Sequence, residues 1–269
     1  MFNKNSITSL CASLCEIIGI SAPSTANLPN EEFVNKVKDL LGGKTADRIV
    51  MFNPDAIGEW IYRKYSTHVE PVTNLCDISL PLSTVMPSVT PVCFGSMYTG
   101  AEPSVHGIQA YVKPVIKIDT VFDALIRAGK KPVIIVTEGD SLSKIYLERD
   151  MDYFIYPTVE EVNAKAIEVL LEDKYDFIVI YNRNYDATMH KFGPESENSL
   201  EQLKLNAEFF SKISNLIESN WQNHNVLLGF AMDHGCHEID GGCGSHGLYM
   251  EEDINILHQY KVFKSKTNN

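Results

Sequence analysis

With 269 residues, the chain is long enough for one large α/β domain or two small ones, and for a substantial core. Hydrophobic residues make up 44% and charged residues 22%, an ordinary globular balance that excludes wholesale disorder. A formal net charge of -12 argues against a nucleic acid polymer or an anionic membrane as partner, yet allows a small anionic substrate held by local cations.

No stretch approaches the roughly 18–20 unbroken apolar residues of a membrane span. The apolar run Ile7 to Ile20, interrupted by Thr8, Ser9, Ser13 and Glu16, reads as an amphipathic helix rather than an export signal. Cys11, Cys15, Cys76, Cys93, Cys236 and Cys243 are scattered, and without such a signal they are expected as reduced thiols in a cytoplasmic protein. A second helical run spans Glu31 to Leu41 and stops at Gly42-Gly43. Arg48 to Asn53 has strand length and composition, and Ile57 to Tyr65 is helical. Residues 71–105 are rich in Pro, Ser and Thr and show little period before a short helix from about Thr90 to Met97. Thereafter the pattern predicts a helix over Thr120 to Ala128, a strand over Pro132 to Thr137, a helix over Glu160 to Glu172 and a strand over Asp176 to Tyr181. A long amphipathic helix, Leu200 to Asn220, precedes the strand Asn225 to Met232. Strand-length runs alternate with helices and no hairpin signal joins consecutive strands. The expected fold is therefore α/β, a mainly parallel central sheet with helices on both faces.

Sites on such sheets form beyond the carboxyl ends of the strands. Three predicted strands lead there into metal-type ligands: Asp55 after the first, Asp186 and His190 after Tyr181, and Asp233-His234-Gly235 after Met232, with His246-Gly247 close behind. Carboxylate with imidazole suits zinc, with manganese or iron as competitors. Each group also has a bland reading. Asp55 after Pro54 is placed like a helix N-cap, and Asp186 and His190 like the two ends of a surface turn. Asp233-His234 is harder to set aside, because two buried polar groups in succession need partners. Cys236, His237, Cys243 and His246 form an overlapping candidate for a structural zinc site, without the paired C-x-x-C spacing. His68, His106, His224 and His258 read as ordinary histidines. Glu138 and Asp140 follow the strand Val133 to Thr137 and are either cleft carboxylates or solvated ones.

For a nucleophile, the segment Met86 to Ile108 is dense in small hydroxyls. Thr90, before Pro91 at a helix start, meets the helix dipole and free backbone N–H groups, a setting that suits phosphate; a plain N-cap is the alternative. Ser88 stands next in line. Cys93 would lie within the helix and has no adjoining His.

Taken in order, these motifs resemble the alkaline phosphatase superfamily, in particular its nucleotide pyrophosphatase/phosphodiesterase branch. Val89-Thr90, Thr99-Gly100, Pro103 and His106-Gly107-Ile108 resemble that branch's nucleophile segment. Asp186 to Ser196 is similar to its D-x-x-G-H-x-x-G-P-x-S motif, and Asp233-His234-Gly235 and His246-Gly247 to its two closing metal motifs. The resemblance runs from about residue 48 to 250. It implies an alkaline phosphatase-like catalytic domain over 48–269, without a large cap domain; residues 1–47 lie outside it and are expected as a helical extension that caps the site or forms a homodimer contact. It further implies two divalent metal ions, zinc foremost. One would be held by Asp186, His190 and His246, the other by Asp55, Asp233, His234 and the Thr90 oxygen, and the reaction would pass through a phospho-threonine. Departures are Ala56 for the Gly after the first ligand, Met189 for the Gly before His190, and Tyr111 where many phosphodiesterases carry a phosphate-binding Asn. The implied function is hydrolysis of phosphodiesters or nucleotide pyrophosphates in a small phosphorylated substrate. The alternatives are a phosphomonoesterase or phosphonate hydrolase, a phosphomutase, and a metal-binding protein without catalysis.

Overall fold

The computed structural model describes residues 1–266. A 3-10 turn at Ile7–Ser9 opens into α1 (Leu10–Ile18), followed by α2 (Glu31–Leu40), β1 (Arg48–Pro54), α3 (Glu59–Lys64), α4 (Glu70–Leu75) and β2 (Ile78–Ser83). Then come α5 (Thr90–Thr99), α6 (Pro103–His106), α7 (Val121–Arg127), β3 (Pro132–Thr137), α8 (Leu142–Ile145) and β4 (Asp152–Tyr156). The third stretch holds α9 (Val159–Glu172), β5 (Phe177–Asn182), α10 (Asn184–Phe192), α11 (Glu197–Asn220) and β6 (Val226–Phe230). Last are β7 (His237–Ile239), β8 (Cys243–Ser245), α12 (Glu251–Ile254) and β9 (Asn255–Phe263).

Seven strands form the central sheet in the order β2-β9-β6-β1-β5-β3-β4, with β7 and β8 paired apart. β6, β1, β5, β3 and β4 are parallel, and β9 runs antiparallel to both β6 and β2. The α/β fold expected from the alternation is borne out, and among the described residues no separate cap domain stands beside it. β1, β3, β5 and β6 are buried along almost their whole length, as strands covered on both faces must be, and so they read as continuous apolar runs. The first helical stretch shares that core: Ile7, Leu10, Leu14 and Ile17 are fully buried in the same apolar cluster as Val50, Phe52 and Ile180.

Three strands lie where the sequence pattern gave none. β2 carries Pro81 and an alternating burial pattern, β4 is a half-exposed edge, and β9 contains the buried polar residues His258 and Gln259. A hairpin also joins β7 to β8 through Asp240-Gly241-Gly242, both glycines having positive φ. Its strands have three residues each, too few to show a period of two. No helix among the described residues is long and apolar enough to cross a membrane.

Candidate metal centre and its threonine

The carboxyl ends of β6, β1 and β5 lie side by side in the sheet and deliver the predicted ligands to one edge. Asp55 leaves β1 directly, its backbone N–H donating to the Asn182 carbonyl at 3.0 Å, and its carboxylate accepts from the Tyr181 hydroxyl. It is not a helix cap, since Gly58 holds that place for α3. Ala56, where the family pattern has Gly, takes φ 62°, and its N–H donates to Asp233 Oδ1 at 3.3 Å. That left-handed turn costs an L-residue roughly 1–2 kcal/mol and explains why Gly is the usual occupant. Asp186 and His190 sit one turn apart on α10, not at the ends of a surface turn. Met189 before His190 is fully buried and lies under the hairpin, where a Cβ on Gly244 would meet its sulfur at 2.5 Å.

Two trios result. Asp186, His190 and His246 offer ligand atoms within 4.8 Å of one another, and so do Asp55, Asp233 and His234. The first trio opens to solvent through His190; the second is buried. The His234 and His246 rings, 4.1 Å apart between centroids, join them. Every imidazole is oriented alike. Nδ1 of His190 meets the Gly244 carbonyl at 2.9 Å, Nδ1 of His234 the Gly235 carbonyl at 2.9 Å, and Nδ1 of His246 the Ser88 carbonyl at 3.0 Å. A carbonyl only accepts, so each Nδ1 carries a proton and each ring turns Nε2 inward, where it offers a lone pair whenever the ring is neutral. Those lone pairs face carboxylate oxygens: His190 and His246 lie 3.2 and 3.5 Å from Asp186 Oδ1, and His234 lies 3.4 Å from Asp55 Oδ1 and 3.3 Å from Asp233 Oδ2.

Lone pairs facing lone pairs need a cation between them. Asp55 Oδ1, Asp186 Oδ1 and Asp233 Oδ2 are buried, with no hydrogen-bond partner among the described residues. The strain shows in their acidities. Burial, with Asp186 nearby, raises Asp55 to about 7, and burial beside Asp55 raises Asp233. Burial, then the charge of His246, lowers His234 to about 3. Burial acts upward on Asp186 too, but the adjacent His190 and His246 rings, when protonated, outweigh that and hold it below the carboxylate range. The donor set and its orphaned oxygens fit two divalent metal ions.

Thr90 is the first residue of α5, almost wholly buried, with Oγ1 3.3 Å from His234 Nε2. The N-cap is Val89, so the threonine hydroxyl is free of the capping role. Cys93 lies within the helix, fully buried, its thiol pushed far up by burial. Ser88 is fully buried with its hydroxyl unpartnered among the described residues, and its carbonyl orients His246. Tyr111 is exposed on the loop after α6, at the rim.

The remaining motif residues build rather than line the site. His106 Nδ1 accepts from the Ile108 N–H, and the ring contacts Ser96 Oγ at 3.1 Å beneath Gly95, whose added Cβ would lie 2.7 Å away. Ser196 caps α11 after Gly193 turns the chain at φ 86°. The cysteine-histidine cluster does not form. Cys236 is buried against the Tyr185 hydroxyl, His237 Nδ1 binds Asp253 at 2.7 Å, and Cys243 turns to the Lys191 carbonyl. Among the described residues only the two trios have metal-ligand geometry. Sequence reasoning missed Tyr181 and the Gly244 carbonyl as holders of ligands, because each acts from an apolar strand or a short hairpin that carries no chemical motif.

A mainly parallel α/β sheet with two carboxylate-imidazole trios at its carboxyl edge is the arrangement that the alkaline phosphatase-like resemblance implies. The comparisons agree with it. Residues 143–266 match the family model for type I phosphodiesterase / nucleotide pyrophosphatase. No curated protein sequence matches the chain. Among solved structures, murine ectonucleotide pyrophosphatase / phosphodiesterase 5, as an inactive variant in complex with AMP, superposes with a TM-score of 0.57 at 16% identity, over 72% of this chain and 59% of that one. The human counterpart gives 0.57 at 15% identity, over 72% and 58%. Phosphonoacetate hydrolase from Sinorhizobium meliloti 1021, in complex with phosphonoformate, gives 0.56 at 16% identity, over 76% and 61%. The chain thus spans about three-fifths of the length of these structures. The resemblance stated from the motifs thus has a likeness of fold beside it, together with the family-model match over residues 143–266.

Proposed function

We propose that the protein hydrolyses phosphodiesters or nucleotide pyrophosphates of small phosphorylated substrates through a phospho-threonine on Thr90, with two divalent metal ions, zinc foremost. The observation that carries this reading is the pair of adjoining trios, with three inward Nε2 atoms and three orphaned carboxylate oxygens, one imidazole of which contacts the Thr90 hydroxyl. Asp186, His190 and His246 would hold one ion, and Asp55, Asp233 and His234 with the Thr90 oxygen the other. When bound, the ions would supply Lewis acidity for the alkoxide and for charge on the departing oxygen.

Thr90 Oγ1 attacks phosphorus in line as the bond to the leaving alcohol or phosphate breaks, and the N-terminus of α5 stabilises the anion held against it. Water then attacks from the opposite side and returns the threonine. The buried trio keeps bulk water from Thr90, while the solvent-open trio at His190 is the side of entry. The Tyr111 hydroxyl would donate to a phosphate oxygen.

A phosphonate hydrolase or phosphomonoesterase is the second reading, favoured by Tyr111 in the place of Asn and by the likeness to phosphonoacetate hydrolase. Turnover of bis-(p-nitrophenyl) phosphate, p-nitrophenyl phosphate and phosphonoacetate by the zinc-loaded protein separates them. Preference for the diester supports the first reading, preference for either other substrate replaces it, and no turnover of any removes both.

A further inference from the structure

The carboxyl edge carries a second feature, on the β5-β3 side of the metal trios. Arg183 leaves β5 three residues before Asp186, and its Nη1 lies 3.2 Å from Asp140 Oδ1 in the loop after β3. Asp140 is itself fixed, accepting from the Thr137 hydroxyl, and its side chain is 9% exposed against 47% for Arg183. In the same loop the Gly139 carbonyl accepts from Lys113 Nζ at 2.9 Å, and that ammonium lies 5.1 Å from the centre of the Tyr111 ring. Arg183 is the N-cap of α10, which carries Asp186 in its first turn, and it binds the residue next to Gly139, so one loop ties Lys113 and Arg183 together beside the metal centre.

These cations have no part in holding metal. Two divalent ions would outweigh the three ligand carboxylates and make this edge attractive to anions, and a half-exposed guanidinium beside it adds to that field. A guanidinium offers five donors, and Asp140 is the only side chain of the described residues that Arg183 hydrogen-bonds. The side chain is 47% exposed, which leaves donors free for a ligand.

We propose that Arg183 and Lys113, flanking Tyr111, form a subsite for a second anionic group of the substrate, a further phosphate or a carboxylate close to the reacting phosphorus. Asp140 is the positioning residue that holds Arg183 there. The proposal rests on the hydrolase reading for the place of the reacting phosphorus, and it restricts the substrate to a two-anion class.

The test is calorimetric binding to the zinc-loaded protein, with bound zinc measured after each titration. The probes are methylenediphosphonate and phosphonoformate, each with two anions, and methylphosphonate with one. At least one two-anion probe should bind about tenfold tighter than methylphosphonate, and the tighter of the two identifies the second group as phosphate-like or carboxylate. Arg183→Ala should cut that ratio about tenfold, with Arg183→Lys restoring part of it, and Lys113→Ala should cut it less. An equal affinity for all probes, or a ratio unmoved in both Arg183→Ala and Lys113→Ala, overturns the subsite. Hydrolysis is followed separately with bis-(p-nitrophenyl) phosphate, whose leaving group has no second anion. A ratio that behaves as expected without turnover would sink the hydrolase reading and keep the subsite.

Discussion

Thr90 Oγ1 and His234 Nε2 stand 3.3 Å apart, the first residue of α5 meeting the first imidazole after β6 at a buried point lined by Asp55 and Asp233. Removing the hydroxyl removes the proposed nucleophile and leaves all six trio side chains in place. Thr90→Ala should lower turnover on the order of 10³-fold or more, with bound metal near wild type. Thr90→Ser, which keeps the oxygen, should retain measurable activity. Metal analysis beside a phosphodiesterase assay reads both, and full activity in the alanine variant would move the nucleophile to Ser88.

His246 belongs to one trio but touches the other through the His234 ring. Its loss should therefore remove about one ion per chain rather than two. His246→Ala is expected to show that stoichiometry by elemental analysis and to lose activity with it. A variant that keeps its full complement of metal refutes the assignment.

The glycine of Asp233-His234-Gly235 is required by proximity, not by backbone conformation. A Cβ there would lie 1.9 Å from the Glu252 carbonyl oxygen and 2.9 Å from the Gly58 Cα, and the Gly235 N–H donates to the Asp253 carbonyl at 2.8 Å. Backbone on both sides cannot yield as a side chain can. Gly235→Ala should cost about 3 kcal/mol or more in urea unfolding, and should weaken metal binding by displacing the two ligands before it. Wild-type stability in this variant would mean that α12 moves freely, contrary to its packing here.

His258 provides a pH test away from the metal ligands. Burial lowers it to about 4, while Nε2 donates to the Met232 carbonyl at 2.6 Å and Nδ1 accepts from Tyr260 at 3.0 Å. An unfolded histidine takes its proton below about pH 6.5. Between those values the unfolded chain binds more protons, so stability is full above about 6.5 and falls as pH drops towards 4. The contribution of His258 should be a loss of about 2–3 kcal/mol between pH 7 and pH 4.5. Comparing wild type with His258→Gln in urea at both pH values isolates it; equal slopes would show that the ring titrates normally.

What the amino-acid pattern made legible follows from burial. Ile49 to Phe52, Phe177 to Tyr181 and Val226 to Phe230 are covered on both faces, so each shows as an unbroken apolar run, and the ligands lie just beyond. β9 escaped notice because His258 and Gln259 break its apolar character, although hydrogen bonds to Met232, Tyr260 and Ser79 satisfy them in place. Asp186 and His190 looked like a turn because Asn184, Asp186 and Thr188 are weak helix formers; the Thr188 hydroxyl bonds back to the Asn184 carbonyl, and α10 is held by its packing on α11. The cysteine-histidine cluster failed for a geometric reason. The β7-β8 hairpin pairs His237 with Ser245 and directs His237 towards Asp253, away from His246.

The position of β9 between β6 and β2 also dictates an order of assembly. Among the described residues β2 has no other strand partner in the central sheet, and apart from a single bridge between Ser83 and Ser6 its backbone must wait until residues 255–263 have been made. Because such distant pairings are slow to form, a ribosome-bound chain halted before β9 should leave β2 unprotected from proteases while β1, β3 and β5 are already paired. Translation past residue 263 would then be the event that seals this side of the molecule.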